Sequence, residues 1–140
     1  KSSLAEQSTP AAVALSDAVA FAGFPRFTDL DLDLGEIGGE ATWAPPPFPA
    51  QVGDVVVYVA QSAAGAGRSS VVVTTPIGTN LCTVPADVSA AGATHLVFYT
   101  RSVLVEQSTP TSLSLSDSVA PVSNVGFVDL DLDASELGGV

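Results

Sequence analysis

Val52-Gly53-Asp54-Val55-Val56-Val57-Tyr58-Val59-Ala60 is the most apolar run in the chain, and it is dominated by β-branched valine. Such side chains are stiff at χ1 and pack well on a pleated surface. No polar residue interrupts the run after Asp54, so it reads as a central strand covered on both faces. Moving toward the C-terminus, Gln61 to Arg68 is a small-residue turn around Gly65 and Gly67. Ser70 to Thr75 is a second strand, Pro76 to Gly78 a turn, and Thr79 to Val84 a third strand. Pro85 to Gly92 is a loop with room for one helical turn over Ala86 to Ala90. Thr94 to Arg101 is again a strand, with Leu96 and Phe98 on one side and Val97 and Tyr99 on the other.

Moving toward the N-terminus, Pro45-Pro46-Pro47 stops a strand that Trp43 closes. Ile37, Gly39, Ala41 and Trp43 share one face of it. Before it comes an acidic ladder. A strand puts Phe27, Asp29, Asp31 and Asp33 on one face and Leu30, Leu32 and Leu34 on the other, whereas a helix would scatter both sets. Phe21 to Pro25 reads as an apolar joint. Residues 4–19 alternate loosely and carry Pro10 midway, which suits a kinked edge strand. Seven short strands at spacings of about ten residues, without helical periodicity, predict an all-β chain folded as an antiparallel β-sandwich. Trp43, Val57, Val97 and Tyr99 are its expected core.

The two ends of the chain are copies of one another. Residues 1–40 and 101–140 align without a gap, and 21 of the 40 pairs are identical. Glu6-Gln7-Ser8-Thr9-Pro10 returns as Glu106 to Pro110, Leu15-Ser16-Asp17 as Leu115 to Asp117, and the Asp-Leu ladder at 29–33 as 129–133. The chain is thus a 100-residue unit plus pieces of its neighbours. The sandwich is expected over residues 24–120. Residues 1–20 are a spare copy of its last strand, and 121–140 begin a further repeat with a first strand and part of a second. Leu4, Val13 and Leu15, with their counterparts Leu104, Leu113 and Leu115, mark the strand through which units would associate.

Composition narrows the function classes. Fifteen acidic residues against four basic ones give a net charge of −11, which argues against nucleic acid and anionic membrane surfaces as partners. No apolar run approaches the ~18 residues that span a bilayer, so membrane insertion is not expected. The first residues carry no signal-peptide pattern, and a secreted protein would already have lost its leader. Cys82 is the only cysteine and sits in an alternating stretch, where a small buried thiol is expected. His95 is the only histidine, in a core strand away from any strained nucleophile turn, so no enzyme activity is expected. One histidine and one cysteine do not make a zinc site.

Three patterns resemble the fibronectin type III and immunoglobulin-like superfamily. Ala41-Thr42-Trp43-Ala44-Pro45-Pro46 resembles its tryptophan-bearing second strand, Val55-Val56-Val57-Tyr58-Val59 its third, and His95-Leu96-Val97-Phe98-Tyr99-Thr100 its sixth. That sixth strand usually opens with the tyrosine of a corner hydrogen bond, and this chain carries His95 there. The resemblance covers the 100-residue unit and implies a seven-stranded immunoglobulin-like sandwich; the superfold hosts adhesion, recognition and scaffolding alike. The duplicated acidic ladder also resembles tandem-repeat surface proteins predicted in unicellular algae, and the series of units resembles a pilus-like fibre.

Two kinds of site stand out. Asp29, Asp31 and Asp33, with Asp129, Asp131 and Asp133, are candidate ligands for Ca²⁺, with Glu36 or Glu136 assisting; no other cofactor is expected. The spacing from Asp29 to Glu40 mimics an EF-hand, but Leu34 stands where that loop needs glycine, and the competing reading is a solvated, aggregation-resistant edge. Thr9 and Thr109, in Ser/Thr/Pro stretches, are candidate O-glycosylation sites, so attached glycans are possible on an extracellular chain. Asn80-Leu81-Cys82 is only a rare variant of the N-linked acceptor. The functional expectation is a structural subunit or repeat of a filament at the cell surface, whose partners are identical copies of itself. Assembly would proceed by strand sharing in a tandem array or by donor-strand complementation between subunits. The alternative is an adhesin-type module binding carbohydrate or protein through the loops at 61–69 and 85–93.

Overall fold

Valine-rich β3 (Asp54–Ala60) lies at the centre of a four-stranded sheet in a computed structural model that describes residues 8–139. It pairs antiparallel with β6 (His95–Arg101) along its whole length, Val57 opposite Phe98 and Tyr58 opposite Val97. Its other edge takes β4 (Val73–Pro76), and β7 (Thr111–Ser114) pairs with the far side of β6. A three-stranded sheet holds β1 (Gly23–Asp29), β2 (Glu36–Ala44) and β5 (Leu81–Ser89) in the order β1-β2-β5. All pairings are antiparallel. Among the described residues, the helical content is a single 3₁₀ turn at Pro49–Gln51. No helix among them is long and apolar enough to cross a membrane.

The two sheets pack face to face as a β-sandwich. Val55, Val57, Val59, Leu96 and Phe98 from one meet Ile37, Ala41, Trp43, Cys82 and Val84 from the other. Trp43 and Phe98 lie with ring centroids 5.6 Å apart at a tilted angle, a favourable aromatic geometry. The outer face of the β3–β6 pair is also buried, with Val56, Tyr58, Ala60, Val97 and Tyr99 in a second cluster. The guanidinium of Arg68 covers it, 4.5 Å above the Tyr58 ring and 4.8 Å above Tyr99. Continuous apolarity in β3 therefore has its physical cause in two covered faces. All four expected core residues are buried, Trp43 and Val57 between the sheets, Val97 and Tyr99 in the cluster on the outer face.

Several sequence expectations are corrected. The acidic ladder is not a strand: β1 stops at Asp29 and residues 30–35 form a connection. Aspartate side chains bond backbone N–H groups two residues on, which competes with extended pairing. The helical turn expected over Ala86 to Ala90 is absent, because β5 runs through to Ser89. Three residues, Pro85 to Asp87, bulge there opposite the single Gly38 of β2, and Asp87 takes φ 60°. Pairing with β2 overrides local helix propensity. The joint expected at Phe21 to Pro25 is partly absorbed into β1, which starts at Gly23 and has an irregular register between Gly23 and Arg26. The strand expected from Ser70 is shorter, beginning at Val73.

The terminal copies behave differently from the unit between them. Leu4 lies outside the described residues. Residues 8–19 join no strand, with Val13 83% and Leu15 95% exposed. The position beside β6 is taken by Thr111–Ser114 of the same chain; there Leu113 is half-buried and Leu115 packs against the core. Leu104 falls in the exposed β6–β7 connection, not in the strand. Residues 121–139 form no strand. In the unit itself β1 pairs with β2, and of the stretch corresponding to β2 (Glu36–Ala44) the second copy supplies only residues 136–140, too little for a stable strand pair.

Candidate functional site: the acidic loop and the linker

The loop between β1 and β2 is built by its own aspartates. Asp29, only 9% exposed, accepts the N–H groups of Asp31 (3.1 Å) and Gly38 (3.0 Å) on Oδ1. Its Oδ2 accepts the N–H of Ser118 at 2.9 Å. Asp31 repeats the pattern, accepting Asp33 N–H at 3.1 Å and the bulged Asp87 N–H at 2.9 Å. The amide of Leu30 closes the base of the loop onto the Gly38 carbonyl at 2.7 Å. Gly39 is indispensable to this closure: at φ 145°, an added Cβ would lie 2.2 Å from the Thr28 carbonyl oxygen.

Charge follows from these contacts. Amide donation by Asp87, then by Asp33, holds the Asp31 carboxyl below the usual carboxylate range. Glu36 moves the other way. Desolvation pushes its carboxyl up, and the neighbouring charges of Asp87, Asp31 and Asp33 add to the rise. Carboxylate oxygens of Asp31, Asp33 and Glu36 lie within 4.8 Å of one another, as do those of Asp131, Asp133 and Glu136. Of the candidate calcium ligands, the fold therefore brings Asp31 and Asp33 together with Glu36. It sets Asp29 apart, with both oxygens committed to amides. The cluster has the hard-oxygen character a divalent cation takes, although both Asp31 oxygens already hold amides.

The second copy folds its loop in the same way. Asp129 Oδ1 accepts Asp131 and Gly138 N–H at 3.1 and 3.0 Å, Asp131 Oδ1 accepts Asp133 N–H at 2.9 Å, and Leu130 N–H reaches the Gly138 carbonyl. A Cβ on Gly139 would lie 2.1 Å from the Val128 carbonyl, matching Gly39. The left-handed turn position is Gly35 in the first copy (φ 87°) and Ser135 in the second (φ 72°). What the second copy lacks, among the described residues, is everything supplied from elsewhere in the unit, namely the counterparts of the Ser118 and Asp87 amides. The acidic motif is thus a locally encoded turn, and its tertiary bonds are added by the sandwich.

Sequence reasoning missed the linker. Residues 117–120 leave β7 and lie along the acidic loop. Asp117 accepts Gly35 N–H at 2.8 Å, and Ala120 N–H donates to the Leu32 carbonyl at 3.3 Å. At the other end of the unit, the Ala20 carbonyl accepts the Thr100 hydroxyl at 2.8 Å, and Ala22 is fully buried. A cavity of about 270 Å³ opens there among Ala18, Val19, Ala20, Thr100, Ser102 and Val105. The only signal in the sequence was the duplication of Leu-Ser-Asp, which marks the linker as part of the repeat without saying what it touches.

The repeated Glu-Gln pair also has a task. Glu106 accepts the Tyr58 hydroxyl at 2.7 Å and the Arg68 guanidinium at 2.5 Å, while the Gln107 side-chain amide lies 2.9 Å from the Thr100 hydroxyl oxygen, whose one proton goes to the Ala20 carbonyl. Burial and the bond to Glu106 push the Tyr58 hydroxyl up, and Glu106 likewise raises Arg68. Glu6, its counterpart, lies outside the described residues. Thr9 and Thr109 are both exposed. Cys82 is buried between the sheets, which pushes its thiol up against partial relief from Thr75. His95 is half-buried, with Nδ1 2.8 Å from the Thr94 hydroxyl.

Compared with known proteins, the chain matches no family model, no curated protein and no solved structure.

Proposed function

We propose that the chain is a structural repeat of an extracellular filament or tandem array, in which immunoglobulin-like units of the fibronectin type III kind follow one another in series. The carrying observation is the contrast between equivalent positions in the two copies. Ile37 is 0% exposed while its counterpart Leu137 is 79% exposed, and Ala22 is 0% while Val122 is 85%. Phe127 is exposed beside them, whereas its counterpart Phe27 packs against the core. Covering a large apolar side chain is worth about 1.5–3 kcal/mol. A segment that already forms its turn yet leaves these groups in water is complete only when β2, β5 and the facing sheet of a further unit follow it.

The strand orders β1-β2-β5 and β4-β3-β6-β7 support the fibronectin type III reading, with Trp43 of β2 in the core as that resemblance implies. Occupation of the place beside β6 by the chain's own β7 favours the serial arrangement over donation of a strand between separate subunits. Residues 8–19 then belong to the slot of a preceding unit. A contact between unlike ends, repeated without closure, makes an extended assembly.

The test extends the full chain after Val140 with a copy of residues 41–140, making a second unit. Hydrogen exchange then compares residues 127–139 with residues 27–39. Matching protection of the two segments, together with linear particles in electron micrographs of native material, is the expected outcome. Exchange at 127–139 as fast as in the 140-residue chain overturns the tandem reading. Monodisperse globular particles that bind on a glycan array replace it with the recognition module.

A further inference from the structure

We propose that consecutive units are locked end to end with no free linker, the acidic loop of each seating its leucines against the β6–β7 connection of the next. This rests on the tandem reading above and names the surface through which it acts. The argument turns on one residue seen twice. As Ala120, its N–H is held by the Leu32 carbonyl of the unit it leaves. As Ala20, its carbonyl is held by the Thr100 hydroxyl of the unit it enters. Placed in register by the 100-residue repeat, both anchors fall on a single residue, so roughly 3.5 Å of chain separates the two units. A linker of that reach does not behave as a flexible tether.

The surfaces that this brings together suit one another. On the leaving side, Leu32 and Leu34 project from the acidic loop and are exposed. On the entering side, the cavity beside Ala18 to Ala20 is bordered by Thr100, Ser102 and Val105. The adjoining Val103 and Leu104 are exposed as well. Three consecutive uncovered apolar residues on a connection mark a contact surface. Charge allows the approach. Ser102 to Val105 bring no carboxylate toward Asp31, Asp33 and Glu36, and Glu106, the nearest acid in sequence, is engaged by Arg68 and Tyr58. The occupant of this face is therefore the next copy of the same unit.

The experiment uses the two-unit protein described above and reads residual dipolar couplings from each unit, with exchange at Ala120. One alignment tensor common to both units is expected, with the Ala120 amide exchanging about tenfold slower than in the 140-residue chain. Leu32→Ser in the first unit, or Leu104→Ser at its counterpart in the second, should split the tensors while each unit stays folded, since both side chains are exposed. Two folded units with independent tensors overturn the locked junction and leave the tandem reading standing. Unchanged tensors in both serine variants overturn the role of the leucine contact. A second unit that fails to protect residues 127–139 removes the tandem reading itself.

Discussion

Replacing Asp29 by alanine separates what the acidic motif does locally from what the fold adds. The carboxylate accepts three backbone amides, from Asp31, Gly38 and Ser118. Hydrogen bonds to a charged group are worth roughly 1.5–3 kcal/mol each, and a buried donor left without an acceptor costs its full desolvation. The Gly38 bond is buried, while those from Asp31 and Ser118 are part-buried and regain some hydration when freed. Counting one bond in full and two at half strength gives about 3–6 kcal/mol. For a domain of this size that corresponds to a melting temperature lower by about 12–48 °C, at roughly 4–8 °C per kcal/mol. The chain contains its own control. Asp129 makes the same two local bonds within the repeated Asp-Leu-Asp-Leu-Asp motif but sits in a segment detached from the core, so Asp129→Ala should leave the unfolding free energy within about 0.5 kcal/mol of the parent. Urea titrations of both variants, followed by Trp43 fluorescence, measure the difference. Equal effects at the two positions, or a loss below about 1 kcal/mol at Asp29, would refute the reasoning.

The same pairing of copies tests the backbone. Gly39→Ala forces a Cβ against the Thr28 carbonyl and should cost more than about 4 kcal/mol, whereas Gly139→Ala should leave the thermal melt of the unit unchanged. Glu36 offers a pH test. Its folded-state pKa is raised above the unfolded value of 4.5, so its contribution is fully present below that pH and is lost as pH rises through the folded-state pKa. Glu36→Gln should therefore raise the melting temperature slightly at pH 7 and have little effect at pH 4. Equal shifts at both pH values would contradict the assigned crowding by Asp87, Asp31 and Asp33.

What the sequence alone determined was the class of structure and its period. A valine run with no wet face requires cover on two sides, and both covers exist around β3. The copy at residue 101 states that the unit is about 100 residues long, and alternation placed Trp43, Val57, Val97 and Tyr99 in the interior. Alternation also misled, because Asp-Leu-Asp-Leu-Asp has the period of a strand while its carboxylates compete for the backbone that a strand would use. That competition is won within the loop itself, as the detached second copy demonstrates.

Only the tertiary structure decided which groups meet across long separations. Asp29 with Ser118, Asp117 with Gly35, Thr100 with Ala20 and Arg68 with Glu106 are 89, 82, 80 and 38 residues apart. No local pattern encodes such pairs, since each joins segments that only the packing of the two sheets brings side by side. The two copies of one sequence make the point physically. Local hydrogen bonding gives both the same turn, and only the copy with a sheet to lie on becomes a strand and a core.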